Sequence, residues 1–508
     1  MGFSGFLKRY SGAYYILLAL IACLGLFLRV KAYFLGYTLW LDECSLSLSI
    51  IKRGLFGFFG PLEHTQSAPP LFMILTKLVT LIFSIIQPGA PRGGVNEFSL
   101  RFIPFASSLF SVPLFYMVSK KFLKKKHSLF LALLLFCINY PLIYYAVEFK
   151  QYSSDVFTCL LMFLIFLNFD FKNSGLKKNF LLGVFSFLGT LFSLPSCFLA
   201  LTFVLSSLYI QRGEFKKAAK KIFIFLIPFF VFMPFYYLYI LYPSKLEMVS
   251  GYFSMWQSGF LTANPLSFVV ILKENLSCFF NQSGFVLFAA TLLISGFVCV
   301  LRDVKIKYSS VSRPSVFLII FFLIVISASF FKIYPIKERV ALYLLPYLLI
   351  LIVKPLDMRL PGGVKGMVAI LMFLFFISPY NFQYFENIYP DIEFKKGGGS
   401  ELMKILKNEY KSGDILVYND ASAPVYLYNS KRYGFDTDNF IMIKLTKYEK
   451  GYYKWLLNSL PKGRKYWFYY SHDYSKRPVV PFVKEWAKGK NVLKEYEINS
   501  SYLLYAQT

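Results

Sequence analysis

Between residue 13 and residue 383 the chain is a train of apolar runs separated by short segments in which Lys and Arg gather. A helix needs roughly 20 mostly apolar residues to cross the hydrocarbon of a bilayer. No water is available there to satisfy a bare backbone, so such runs have to be helical. By that criterion the sequence predicts about eleven spans: 13–35, 101–119, 128–147, 150–170, 179–194, 196–211, 222–242, 283–301, 315–333, 340–353 and 366–383. Composition agrees, since 56% of the residues are hydrophobic and 16% charged, against about 45–50% and about 25% in an ordinary soluble domain. Too little polar surface remains to clothe a water-soluble core, which rules out a purely cytosolic enzyme.

The net charge of +28 would fit a nucleic-acid binder if the cations formed one patch. They do not. They sit at Lys8–Arg9, 120–126 (KKFLKKK), 172–178, 211–221, 302–313 and 354–365, one cluster after every second apolar run. That is the positive-inside pattern. It puts the amino terminus and these clusters in the cytoplasm. The loop 36–100, the loop 243–282 and everything after about residue 384 then lie outside. The first run follows Lys8–Arg9 as a signal peptide would, but it is long, carries Arg29 and Lys31, and has no small-residue cleavage site, so it reads as an uncleaved span. Residues 70–86 read as a helix lying along the outer membrane surface, because a span there would turn KKFLKKK outward. Seven cysteines, none after Cys299 and none in a CxxC pair, imply neither a disulfide framework nor a zinc site.

The expected architecture is therefore a polytopic α-helical membrane domain over residues 1–383, including outer loop 36–100, followed by an extracytoplasmic soluble α/β domain over 384–508. The break is marked by KKGGGS at 395–400. Beyond it, 400–411 predicts a helix with Ser400 as N-cap. The segments 415–420, 466–471, 492–498 and 501–506 predict strands, and 479–489 a second helix. Asp420 and His472 follow strands, where α/β folds often hold ligands, but surface polar residues occur there equally.

Five short segments carry polar groups that topology leaves unexplained. Trp40-Leu41-Asp42-Glu43 follows the first span, and adjacent carboxylates at a membrane boundary cost desolvation energy unless they meet water, a cation or a substrate. By themselves they would pass for a solvated loop. HTQSAPPLF at 64–72 adds His64, which can donate, accept or take a proton, although a lone histidine is more often structural. NEFSLR at 96–101 sets Glu97 and Arg101 at i,i+4, the spacing of an ordinary helical ion pair. YYAVEFKQYSSD at 144–155 puts Glu148, Tyr152 and Asp155 on one helical face at i, i+4 and i+7, with Tyr145 and Lys150 beside them. Such a stripe is either paired off for structure or functional. PIKERVALYLLP at 335–346 sets Lys337 and Arg339 on the outer side, against the charge rule. Snorkelling anchors or phosphate ligands would each account for them. Carboxylates and cations from separate segments thus gather on one membrane face, as a reaction on a lipid phosphate requires.

In their order and sidedness, these segments and the outer tail resemble the GT-C superfamily of polytopic glycosyltransferases that use polyprenyl-phosphate-linked sugars. The group it resembles is that of the protein O-mannosyltransferases and the lipid A aminoarabinose transferases. The resemblance covers most of the chain. It implies Asp42 as catalytic base, with Glu43 orienting it or supporting the acceptor, and Arg101, Lys337 and Arg339 on the donor phosphate. His64, Glu97, Tyr145, Glu148, Lys150, Tyr152 and Asp155 would bind or support substrate. The chain departs from the family in having Lys150 where many relatives carry Arg, and TQSA between His64 and Pro69–Pro70. The implied reaction inverts the anomeric centre and moves a hexosyl or pentosyl group.

In that reaction a hydroxyl that has lost its proton to Asp42 attacks opposite the phosphate, which leaves without a proton-donating acid of the glycosidase kind. The partners implied are a polyprenyl-phosphate-sugar donor, a lipid, glycan or protein acceptor, and membrane lipids, with no nucleic acid. The sequence names no cofactor, has no Walker A loop and no HExxH motif, and leaves a divalent metal at Asp42 and Glu43 open. The cell inner (plasma) membrane is the expected location, the endoplasmic reticulum the alternative. A transporter or flippase of a lipid-linked sugar would use the same outer charges for binding, but would be expected to show internal repeats or broken helices near mid-membrane.

Overall fold

The computed structural model describes residues 11–86, 95–238, 256–280, 286–305, 312–357, 398–444, 450–471, 479–498 and 501–508. Lys8–Arg9, the span expected at 366–383, residues 243–255 and 281–282 of the 243–282 loop, the start of the KKGGGS break and His472 lie outside them. The helices of the first part are α1 (Ser11–Phe34), α2 (Leu41–Lys52), α3 (Pro70–Ile86), α4 (Glu97–Phe122), α5 (Lys126–Ile138), α6 (Tyr140–Tyr144), α7 (Tyr152–Asn168), α8 (Leu176–Phe192), α9 (Ser196–Ile210), α10 (Phe215–Tyr236), α11 (Pro265–Phe280), α12 (Val286–Lys305), α13 (Ser312–Phe330) and α14 (Leu345–Val353).

Among the described residues five helices are long and apolar enough to cross a membrane, or six if one bent pair counts as a single span. The five are Gly12–Phe34, Glu97–Phe122, Phe215–Phe235, Arg313–Phe330 and Glu338–Asp357. Pro70–Ile86, Tyr152–Asn168 and Ser196–Tyr209 are shorter apolar helices. Helices approach closely where glycine allows it. A Cβ on Gly183 would overlap the Phe225 carbonyl oxygen, and one on Gly296 the Leu351 oxygen, so α8 packs against α10 and α12 against α14 backbone to backbone.

The run 128–147, expected as one span, bends by 52° between α5 and Tyr140–Val147. Pro141 has no N–H to give the Cys137 carbonyl, so the ladder must fail there. The protein meets the loss with Arg29, which is fully buried. Its guanidinium donates to the Cys137 oxygen at 3.1 Å, the Phe136 oxygen at 3.4 Å and Ser108 Oγ at 2.8 Å. A cation inside α1 thus restores the bonds that a proline in another helix removes.

At one end of the bundle the basic loops meet each other. Lys354 Nζ donates to the Phe122 oxygen at 2.7 Å and pairs with Asp303 at 3.0 Å, while Asp357 accepts from the Lys124 and Lys125 backbone N–H groups. Lys221 reaches the Phe171 and Lys172 carbonyls, and Arg313 those of Phe166 and Phe169. Segments that the charge pattern assigns to one side therefore touch one another.

The second part is a five-stranded sheet in the order β2-β1-β3-β5-β4. Its strands are β1 (Ile415–Asn419), β2 (Phe440–Ile443), β3 (Lys465–Tyr470), β4 (Asn491–Ile498) and β5 (Ser501–Gln507), and its helices α15 (Gly399–Glu409), α16 (Ala423–Tyr433), α17 (Lys450–Asn458) and α18 (Val480–Ala487). β1 runs parallel to β2 and β3, while β5 runs antiparallel to β3 and β4. Strand β3 reads Lys-Tyr-Trp-Phe-Tyr-Tyr and is buried from its second residue on, as a strand covered on both faces must be. Leu402, Leu406 and Tyr426 of α15 and α16 cover one face, and Tyr453, Leu457 and Val483 of α17 and α18 the other.

The four expected strands are present. The short edge strand β2 and the helices α16 and α17 were not foreseen. Ser400 is not the N-cap of α15: Gly398 is, and Ser400 Oγ instead meets the Tyr433 hydroxyl at 2.7 Å.

Candidate active site

The site is organised by the first turn of α2. Trp40 is its N-cap in extended conformation (φ −89°, ψ 177°), and Asp42 and Glu43 follow in the first turn, where the helix dipole favours negative charge. Successive helical residues project about 100° apart, so the two carboxylates enter different surroundings.

Glu43 is 1% exposed and fully engaged. It accepts from Arg101 Nε at 2.8 Å and Nη2 at 2.7 Å, from the Phe149 N–H at 2.7 Å and from the Trp40 N–H at 3.3 Å. Arg101 also donates to the Tyr37 carbonyl at 2.6 Å and the Thr38 carbonyl at 3.4 Å. This forked, buried ion pair with its remaining groups bonded fastens α2, α4 and the segment before α7 together.

Asp42 is a fifth exposed and lies between two cations, Arg339 Nη2 at 3.4 Å and Lys150 Nζ at 3.6 Å. Both distances exceed the ~2.7–2.9 Å of a charge-assisted hydrogen bond. Lys150 is almost wholly buried and donates to Gln66 Oε1 at 2.6 Å. The Arg339 guanidinium lies 5.5, 5.9 and 6.0 Å from the rings of Trp40, Tyr152 and Trp256, within cation–π range of all three. Glu338, just before it, holds φ at 44°, a left-handed backbone that costs a residue with a Cβ about 1–2 kcal/mol. Buried Glu148 interacts electrostatically with both Lys150 and Arg339, and Tyr145 packs edge-on against Tyr152 at 5.2 Å.

This layout, a helical bundle followed by a sheet domain, has counterparts among solved structures. Over 97% of this chain and 98% of theirs, it superposes on ArnT from Cupriavidus metallidurans in the apo state with a TM-score of 0.51 at 12% identity. Against the same enzyme bound to undecaprenyl phosphate the TM-score is 0.50, at 11% identity over 99% and 98% of the two chains. The fold resembles that of ArnT. No known protein family matches the sequence, and no curated protein does.

Several candidate residues sit elsewhere than their spacing predicts. Glu97 and Arg101 do not pair with each other: Arg101 turns to Glu43, and Glu97 is met by Arg432 from α16. The helical stripe Glu148–Tyr152–Asp155 does not form either, because α7 begins at Tyr152 and Glu148 is extended (φ −108°, ψ 129°). Glu148 joins the Arg339 cluster, whereas Asp155 points into the bundle toward Ser193. Lys337 Nζ donates to Ser258 Oγ at 2.7 Å, away from Asp42. His64 adopts φ 52° beside Glu63. Its ring is exposed by area yet crowded enough for desolvation to lower its pKa, with Lys52 adding to the shift and Glu63 opposing it.

Three contributors escaped sequence reasoning: Gln66, which meets Lys150, the ring of Trp256, and Arg432. Gln66 lay within the TQSA insertion, the signal that could have found it. Among the described residues no group of three or more His, Cys, Asp and Glu could hold a metal ion, and the carboxylates of Asp42 and Glu43 each face cations.

Proposed function

We propose that the protein is an inverting glycosyltransferase that moves a hexosyl or pentosyl group from a polyprenyl-phosphate donor to an acceptor hydroxyl on the extracytoplasmic face of an inner membrane. The observation that carries this reading is the partly exposed Asp42 carboxylate set between Arg339 and Lys150. The fold it sits on is shared with a protein solved in complex with undecaprenyl phosphate. In this reading the chain spans the membrane about eleven times with its amino terminus inside, α3 lies along the outer surface and the sheet domain lies outside. Contacts among the basic loops support that sidedness.

The geometry serves the chemistry in sequence. Without substrate, Asp42 is the counter-ion of Arg339 and Lys150, held at distances that cost little to break. The phosphodiester anion of an incoming donor is a partner for both cations, and becomes a stronger one as it turns into the phosphate monoester that leaves. It draws them away and leaves Asp42 a carboxylate with less stabilisation, hence a better base. The acceptor hydroxyl gives its proton to Asp42 as its oxygen forms a bond to the anomeric carbon. The carbon–oxygen bond to phosphate breaks on the opposite face, and its electron pair goes to the phosphate oxygen, where Arg339 and Lys150 stabilise the charge. Glu148 and the Arg101–Glu43 pair hold the cations and α2 in place. The polyprenyl chain rests among the apolar helices.

Mass spectrometry of copurified lipid, joined to transfer assays with a purified donor, tests the proposal. Recovery of a polyprenyl phosphate and sugar transfer to an acceptor are expected. A protein that binds the lipid-linked sugar and moves it across vesicles without transferring it is a flippase and overturns the reading.

A further inference from the structure

The sheet domain is docked on α2 rather than merely tethered after it. Val425 and Tyr428 of α16 belong to the same buried cluster as Cys44, Leu46, Leu48 and Ile50 of α2, and Tyr428 is 1% exposed. Arg432, on the same helix, pairs with Glu97. Glu97 is the first residue of α4, one turn before the Arg101 that grips Glu43. In the other direction α16 is tied to α15 through Tyr433, whose hydroxyl meets Ser400 and whose carbonyl accepts from Lys407. A continuous run of packed side chains and ion pairs therefore leads from the sheet to the turn that carries Asp42. Both the apolar seam and the largely buried Glu97 carboxylate need the docked domain, because a buried charge stripped of its partner is strongly destabilising.

We propose that the second domain is a positioning element of the active site. Through α16, the Arg432–Glu97 pair and the Tyr428 seam fix the pose of α2, so that Asp42 stands within hydrogen-bond reach of the acceptor hydroxyl. Arg432 touches neither substrate nor reacting atoms, so it is a positioning residue. The proposal rests on the transferase reading above. A base displaced by about 1 Å loses on the order of 100-fold in rate, while the cations that hold the donor, on α2's other neighbours, stay in place.

The test uses the full chain in nanodiscs, with Arg432→Glu and Glu97→Arg made singly and together, Arg432→Lys as the conservative change and Arg432→Gln as a mild variant in case reversal prevents folding. The singles and Arg432→Gln are expected to lose at least about 10-fold in kcat with donor KM within about 3-fold of wild type. The double exchange and Arg432→Lys should recover most of it. Hydrogen exchange of Leu41–Lys52 should rise in the singles and fall back in the double. Singles with wild-type kcat and exchange overturn the proposal, and so does a loss of kcat that neither the double exchange nor Arg432→Lys restores. If the wild type transfers no sugar, the transferase reading has failed, and the exchange measurement, which needs no substrate, still decides whether docking controls α2.

Discussion

The carboxylates of Asp42 and Glu43, one residue apart on α2, both face cations but differ in how tightly they are held. Glu43 is sealed and takes four hydrogen bonds, two of them from one guanidinium at 2.7–2.8 Å, whereas Asp42 is a fifth exposed and stands 3.4–3.6 Å from two cations held by other partners. A buried, geometrically closed ion pair holds a structure together, because separating its members strands a charge in low dielectric. A loose, solvent-reachable arrangement can be opened by an anion that binds better. The same residue types thus make a rivet on one side of the helix and a receptive site on the other. Mutations on the two sides should fail in different currencies: chemistry or donor binding on the Asp42 side, stability on the Glu43 side.

The widest separation is expected from Asp42→Asn. Loss of a general base costs about 10²–10⁴-fold in rate, while donor lipid should bind at least as well, since the carboxylate no longer competes for Arg339 and Lys150. Single-turnover transfer and a lipid-binding assay measure the two together. Transfer at the wild-type rate would remove Asp42 from the mechanism. On the rivet side, Arg101→Ala should cost about 3–5 kcal/mol of stability, read as a fall in unfolding temperature in detergent. Removing both charges with Glu43→Gln and Arg101→Met should recover part of it, because no buried charge then stands alone. If Arg101→Ala instead weakens donor binding in a stably folded protein, the rivet has been misassigned and Arg101 belongs to the phosphate site.

How much of this could be read from the chain alone follows the same division. The apolar runs and the strands of the second domain were legible because periodicity and burial are written locally. That charges from separate segments gather was legible as well, as Asp42, Lys150 and Arg339 show. Which charge meets which was not. Glu97 and Arg101 sit at the spacing of a helical pair, yet each finds a better partner across space, in Arg432 and Glu43. Nothing local announces a residue more than 300 positions away. The stripe of Glu148, Tyr152 and Asp155 failed for a related reason: a helical wheel presumes an unbroken helix, and the chain turns at 148–151 to offer its Phe149 N–H to Glu43. The bend at Pro141 was written in the sequence, but the Arg29 that compensates for it lies in another helix.

A finer probe of the receptive side is Arg339→Lys. The charge is kept, but the flat guanidinium that lies among Trp40, Tyr152 and Trp256 is replaced by a compact, strongly hydrated ammonium. Loss of cation–π contact worth about 0.5–2 kcal/mol releases the cation from its pose and predicts donor affinity weaker by roughly 2- to 30-fold, with a stability loss of at most about 2 kcal/mol. Unchanged affinity would mean that charge alone, not the aromatic box, holds the phosphate.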